Sequence, residues 1–60
     1  MITPSRRDLG WRVVYTAVGT GATEPGTIVS FNDGYVFVLY DNQGPVPKAT
    51  ARENLAWAQP

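Results

Sequence analysis

The segment Gly26–Tyr40, GTIVSFNDGYVFVLY, limits what this chain can fold into more than any other stretch. Two runs of β-branched and aromatic residues flank Asn32-Asp33-Gly34, and Asp-Gly between such runs is a strong short-range signal of a β-hairpin. Two loop lengths fit. With Asp33-Gly34 as a two-residue turn, Val29 and Phe31 share a face with Val36 and Val38. With Asn32–Gly34 as a three-residue loop and Gly34 left-handed, Ile28 and Ser30 lie with Val36, Val38 and Tyr40, while Phe31 joins Tyr35 and Phe37. A one-residue shift exchanges the faces. The Asn-Asp-Gly order suits the longer loop. In either register both faces carry apolar groups, more than one buried face of so short a chain needs.

The flanking sequence extends the β reading. Trp11–Val18 (WRVVYTAV) predicts a first strand rich in Val and aromatics. Gly19–Pro25 follows as a loop with two glycines and a proline. Asp41–Pro47 is a second turn-rich loop, Lys48–Thr50 a short fourth strand, and Leu55–Ala58 a fifth. Thr50-Ala-Arg-Glu53 matches a capping box, which predicts one helical or 3-10 turn across Ala51–Asn54. Residues 1–10, bracketed by Pro4 and Gly10, read as a flexible arm, leaving residues 11–60 as the folded unit.

Composition removes whole classes of chemistry. Sixty residues make one domain, which at that size buries about 60% of the surface its unfolded chain exposes. There is no cysteine and no histidine, so disulfides, thiolate metal sites, zinc fingers and Ser-His or Cys-His catalysis lack their parts. The acids are Asp8, Glu24, Asp33, Asp41 and Glu53, scattered without metal-loop spacing. Gly19–Thr23 lacks the Gly-Lys-Ser/Thr ending of a phosphate cradle. The expectation is therefore a non-enzyme without cofactor or metal. No run reaches the length of a membrane span and the first residues lack a signal-peptide core, so a soluble, cytoplasmic protein is expected.

Two sets of side chains remain as candidates for binding. The aromatics are Trp11, Tyr15, Phe31, Tyr35, Phe37, Tyr40 and Trp57. A small barrel interior holds about half of such a set, and surplus rings at the surface are the usual anchors of a contact. Tyr35 and Phe37 are the first choices, with Trp57 and Trp11 as neighbours. The second set, Arg6, Arg7, Arg12, Lys48 and Arg52, could meet phosphate or an acidic partner. Net charge is zero with a pI near 6.0, against the basic excess that phosphate neutralisation usually requires.

Five short strands, a long first loop, a tight central hairpin and a single turn before the last strand describe a five-stranded small barrel. Val13-Val14-Tyr15, Glu24-Pro25-Gly26-Thr27-Ile28, Tyr35–Tyr40 and the ENLAW ending resemble the SH3-like barrels, including their Tudor and KOW branches. More narrowly, GTIVSFND, YVFV and ENLAW resemble small barrel proteins encoded in phage and prophage genomes, over roughly residues 11–58. The SH3 peptide-binding aromatics and acidic first loop are missing, and KOW-type basic residues are sparse. The resemblance implies an SH3-like fold and a phage accessory protein that engages a host factor, in the host cytoplasm. Three readings follow: a protein-binding module, a nucleic-acid-binding barrel that stacks bases on its aromatics, and a homo-oligomer that buries its second apolar face. Missing catalytic parts and balanced charge favour the first.

Overall fold

A computed structural model describes residues 2–58; Met1, Gln59 and Pro60 of the expected arm and folded unit lie outside the described residues. The chain is all-β: β1 (Arg12–Thr16), β2 (Thr23–Phe31), β3 (Val36–Tyr40), β4 (Lys48–Thr50) and β5 (Leu55–Trp57). One 3-10 turn, Arg6–Asp8, precedes β1 and another, Arg52–Asn54, links β4 to β5. The strands form one antiparallel sheet in the order β4-β3-β2-β1-β5. No ladder joins the two edge strands, so the sheet is not closed. It cannot be flat either. The edges of a flat five-stranded sheet stand roughly 19 Å apart. The link Ala51–Asn54, with its 3-10 turn, spans only about 13 Å. The sheet therefore curls around its buried face.

That face holds Ile2, Val13, Ile28, Val36, Val38, Tyr40 and Leu55, with Tyr15 and Phe31 packed partly buried against them. The hairpin resolves its register through a β-bulge. Gly26 pairs with Tyr40, Thr27 with Leu39 and Ile28 with Val38; beyond the bulge Ser30 pairs with Phe37 and Phe31 with Val36. Val29 is the extra residue, 39% exposed. Paired residues share a face, so Ile28 enters the core with Val38 and Tyr40, as the longer loop predicts, while Phe31 lies with Val36, as the shorter loop predicts. The extra residue allows both, because a bulge sets two residues of one strand against one of the other.

The turn itself is the shorter one. Asn32 N–H donates to the Tyr35 carbonyl at 2.9 Å, with Asp33 and Gly34 between. Gly34 is not left-handed; among the described glycines only Gly10, Gly19, Gly21 and Gly44 have positive φ. Asn32 Oδ1 takes over the turn, accepting from the N–H groups of Gly34 and Tyr35, each at 2.8 Å. A side chain that mimics a backbone acceptor needs no left-handed residue.

Other boundaries move for local reasons. β1 ends at Thr16 rather than Val18, because Gly19 and Gly21 carry a turn in which Ala17 N–H reaches the Ala22 carbonyl at 2.8 Å. β2 begins at Thr23, so Thr23–Pro25 belong to a strand rather than to the loop. Pro25 is tolerated there because its carbonyl accepts from Asp41 N–H, one residue past the end of β3, where a single missing donor interrupts no further pairing. The capping box of Thr50 and Glu53 does not form. Ala51 occupies the cap position without a side-chain bond, and the Thr50 hydroxyl sits 2.6 Å from the Tyr40 hydroxyl instead. The expected flexible arm is packed: Ile2 is 3% exposed in the core cluster, and its N–H donates to the Arg52 carbonyl at 3.3 Å. Asp8 Oδ2 accepts from the Ser5 N–H and hydroxyl at 2.8 and 3.1 Å, holding the first 3-10 turn.

Gly26 is needed for the close approach of β2 to β3. A Cβ there would stand 2.5 Å from Val38 Cγ1 and 3.0 Å from the Leu39 carbonyl oxygen. Gly26→Ala is expected to cost about 1–3 kcal/mol through overpacking, and Ile2→Ala about 2 kcal/mol or more through the cavity left behind. Urea denaturation of each variant measures both; an Ile2→Ala midpoint equal to that of the parent would return residues 2–5 to the status of a loose arm.

Candidate functional site

The strand directions bring the ends of several elements together. β1 and β3 begin, and β2, β4 and β5 finish, at one end of the sheet, which places Trp11, Phe31, Tyr35 and Trp57 toward that end. Trp11 and Trp57 meet edge to face, with ring centroids 6.3 Å apart and an interplanar angle of 72°. This geometry suits the ring quadrupoles. The chain positions them through backbone bonds: Ile28 N–H donates to the Trp11 carbonyl at 3.0 Å and Ala58 N–H to the Arg12 carbonyl at 3.1 Å. Trp57 stands opposite the fully buried Val13, so its Cβ shares the core face while its indole reaches the rim. Trp11 remains 60% exposed and Trp57 36%. Leu9, also exposed, precedes them on the turn that ends at Gly10.

The other two expected contact residues make no ring–ring contact with this pair among the described residues. Tyr35 is 51% exposed beside the hairpin turn. Phe37 is half-buried on the outer face, paired with Ser30 on one side and Ala49 on the other. The tryptophans, expected only as neighbours of Tyr35 and Phe37, are the exposed rings that meet each other.

The basic residues do not gather into one patch. Arg12 extends along the outer face, its Nη1 donating to Thr27 Oγ1 at 2.9 Å and its two terminal nitrogens forming a fork on the Asp41 carboxylate. Arg52 Nη2 donates to the Asn32 carbonyl, tying the second 3-10 turn to the hairpin turn. Arg6 and Arg7 sit exposed on the first 3-10 turn, and Lys48 is exposed at the start of β4. Two of the five expected phosphate contacts are therefore already engaged by protein acceptors.

At the opposite end of the curled sheet lies a groove of about 290 Å³ that sequence reasoning missed, lined by Tyr15, Glu24, Tyr40, Lys48, Thr50 and Asn54 among others. Tyr15 and Tyr40 meet edge to face at 6.1 Å. Burial raises the Tyr40 phenol above its ordinary range, an effect partly opposed by the bond to Thr50. The lining residues of the groove are drawn from four strands and the links between them, so no local motif announces them. Their inward parity becomes legible only once the register is known. Among the described residues no three carboxylates gather as a metal site, and no helix is long and apolar enough to cross a membrane.

The chain matches no family model, no curated protein and no solved structure.

The fork on Arg12 holds the Asp41 carboxyl below its ordinary range, chiefly through hydrogen bonding and further through charge, and the same bonds raise Arg12. A depressed acid stabilises the fold above its unfolded pKa, about 3.9, and that contribution disappears as pH falls through the lower folded value. Asp41→Asn is therefore expected to be less stable than the parent at neutral pH, with the difference closing in acid. Both side chains are exposed, so added salt should narrow the gap. Urea midpoints followed from neutral to acid pH, at low and high salt, measure this.

Proposed function

We propose that this chain is a small non-enzymatic binding module, an SH3-like barrel whose contact surface is the end that carries Trp11 and Trp57. The observation that supports the reading most is the exposed tryptophan pair. A domain of sixty residues gains much of its stability from burying large rings. Leaving two indoles at the rim, fixed edge to face, gives up that burial while keeping both rings pre-organised. Rigid tryptophans lose little conformational freedom on association and are enriched among the residues that dominate binding energy. The strand order β4-β3-β2-β1-β5, with a short turn between the two edges, supports the barrel reading. The resemblance of residues 11–58 to phage-type barrels supports a protein partner, such as a host factor in the cytoplasm.

A polyanion is the less suitable partner. Net charge is zero, Arg12 is neutralised by Asp41, and Arg52 is held by the hairpin turn. Tyr35 and Phe37 extend the candidate surface along the hairpin, away from the tryptophan pair.

The test is affinity capture from the native host, with the immobilised domain set beside the double variant Trp11→Ala/Trp57→Ala. The expected outcome is a discrete protein retained by the parent and lost, by at least about tenfold, from a variant whose far-UV circular dichroism is unchanged. Equal capture by the two would remove the tryptophan end as the contact. Recovery of nucleic acid in a salt-sensitive manner would favour the nucleic-acid reading, and concentration-dependent sedimentation of the parent alone would favour self-association.

A further inference from the structure

The groove at the end away from the tryptophans has a composition that core packing does not explain. Four neighbouring strands contribute side chains at inward positions: Tyr15 from β1, Glu24 from β2, Tyr40 from β3, and Lys48 and Thr50 from β4. The register establishes this. Tyr15 pairs with Glu24, two residues along from Val13 and Gly26; Tyr40 pairs with Gly26; Lys48 pairs with the fully buried Val38. Inward positions of a curled sheet are normally apolar, yet here one is a half-buried carboxylate and one an exposed ammonium.

The two charges line one groove without neutralising each other. Among the described residues the one ion pair is Arg12–Asp41, so Glu24 and Lys48 stand more than 4.0 Å apart. Glu24 Oε2 is held by the Gln43 amide, which donates at 2.5 Å, and Oε1 makes no hydrogen bond among the described residues. Tyr40 is fixed by its bond to Thr50 and comes from the strand between those of Lys48 and Glu24, while Tyr15, from beyond Glu24, braces it edge to face. A purely anionic ligand would be repelled by Glu24, and a purely cationic one by Lys48. A molecule with both charges a short distance apart satisfies both. The volume, about 290 Å³, falls at the lower limit of ligand pockets and suits a small molecule rather than a length of chain.

We propose that this groove binds a free amino acid as its zwitterion. The ammonium lies against Glu24 and the tyrosine faces, where ring quadrupoles favour a cation. The carboxylate lies on Lys48, with the Asn54 amide at the same groove. This site is separate from the tryptophan surface and does not depend on it.

Amide chemical-shift mapping with three probes tests the assignment: L-leucine, N-acetyl-L-leucine (anion only) and L-leucine amide (cation only). L-leucine is expected to shift the amides of Tyr15, Glu24, Tyr40 and Lys48 in a saturable way. Each blocked derivative should bind about tenfold or more weakly, as should L-leucine itself with Glu24→Gln or Lys48→Met, since each loses one charge-assisted contact. Equal binding of the three probes, shifts centred on Trp11 and Trp57, or no saturable shift up to the solubility limit would overturn the proposal. The blocked probes act on the parent protein, so the test stands even if a variant fails to fold.

Discussion

The architecture depends on β2 exchanging its inward face near its C-terminal end, at Val29. A regular strand of nine residues would send alternate side chains to one face throughout, and either Ile28 or Phe31 would point outward. The bulge at Val29 lets both face the core, Ile28 against Val38 and Phe31 against Val36. It also increases local twist and bends the strand, which a sheet with edges joined by so short a link requires. Gly26 supplies the complementary condition at the other end of β2, where the backbones approach too closely for a side chain. Between these points β2 serves as the central strand, paired to β1 and β3, and the faces of both neighbours follow from it.

The sequence was most legible where local chemistry decides. Strand-forming runs punctuated by Asn, Gly and Pro located β3, β4 and β5 to within a residue or two, and the second 3-10 turn falls where expected although the cap that announced it does not form. Where a choice depended on partners distant in sequence, the reading stayed open or failed. Asn32 could cap its own turn, which removed the need for a left-handed Gly34, and nothing in Asn-Asp-Gly distinguishes these before the flanking strands fix the geometry. Thr50 had the spacing of a helix cap, but the Tyr40 hydroxyl competes for it from another strand. Ile2 sits in Met1-Ile2-Thr3-Pro4, too short an apolar stretch to carry a periodicity from which burial could be read.

The candidate contact residues divide along the same line. Surplus aromatics were visible as a composition, and the tryptophans were among them. Which rings meet was not visible, because Trp11 and Trp57 come from opposite ends of the chain and are joined only by the pairing of β1 with β5. The arginines were also visible, but Arg12 and Arg52 acquire acceptors across strands that charge counting cannot detect. The groove is the extreme case: each lining residue is ordinary in its own segment and becomes part of a set through register alone.

The pairing of β5 with β1 has a consequence for how the domain behaves in time. It brings together the two most widely separated strands of the chain, and long-range closures of this kind are the slow step in assembling β proteins. β5 is also a three-residue edge strand with one partner, the type of element that opens before the rest of a structure does. Since Trp57 is its last residue, each such opening takes the tryptophan pair apart. If that end is the contact surface proposed above, affinity there is governed by the lifetime of the closed strand, and heat or mild denaturant weakens it while most of the sheet is still intact.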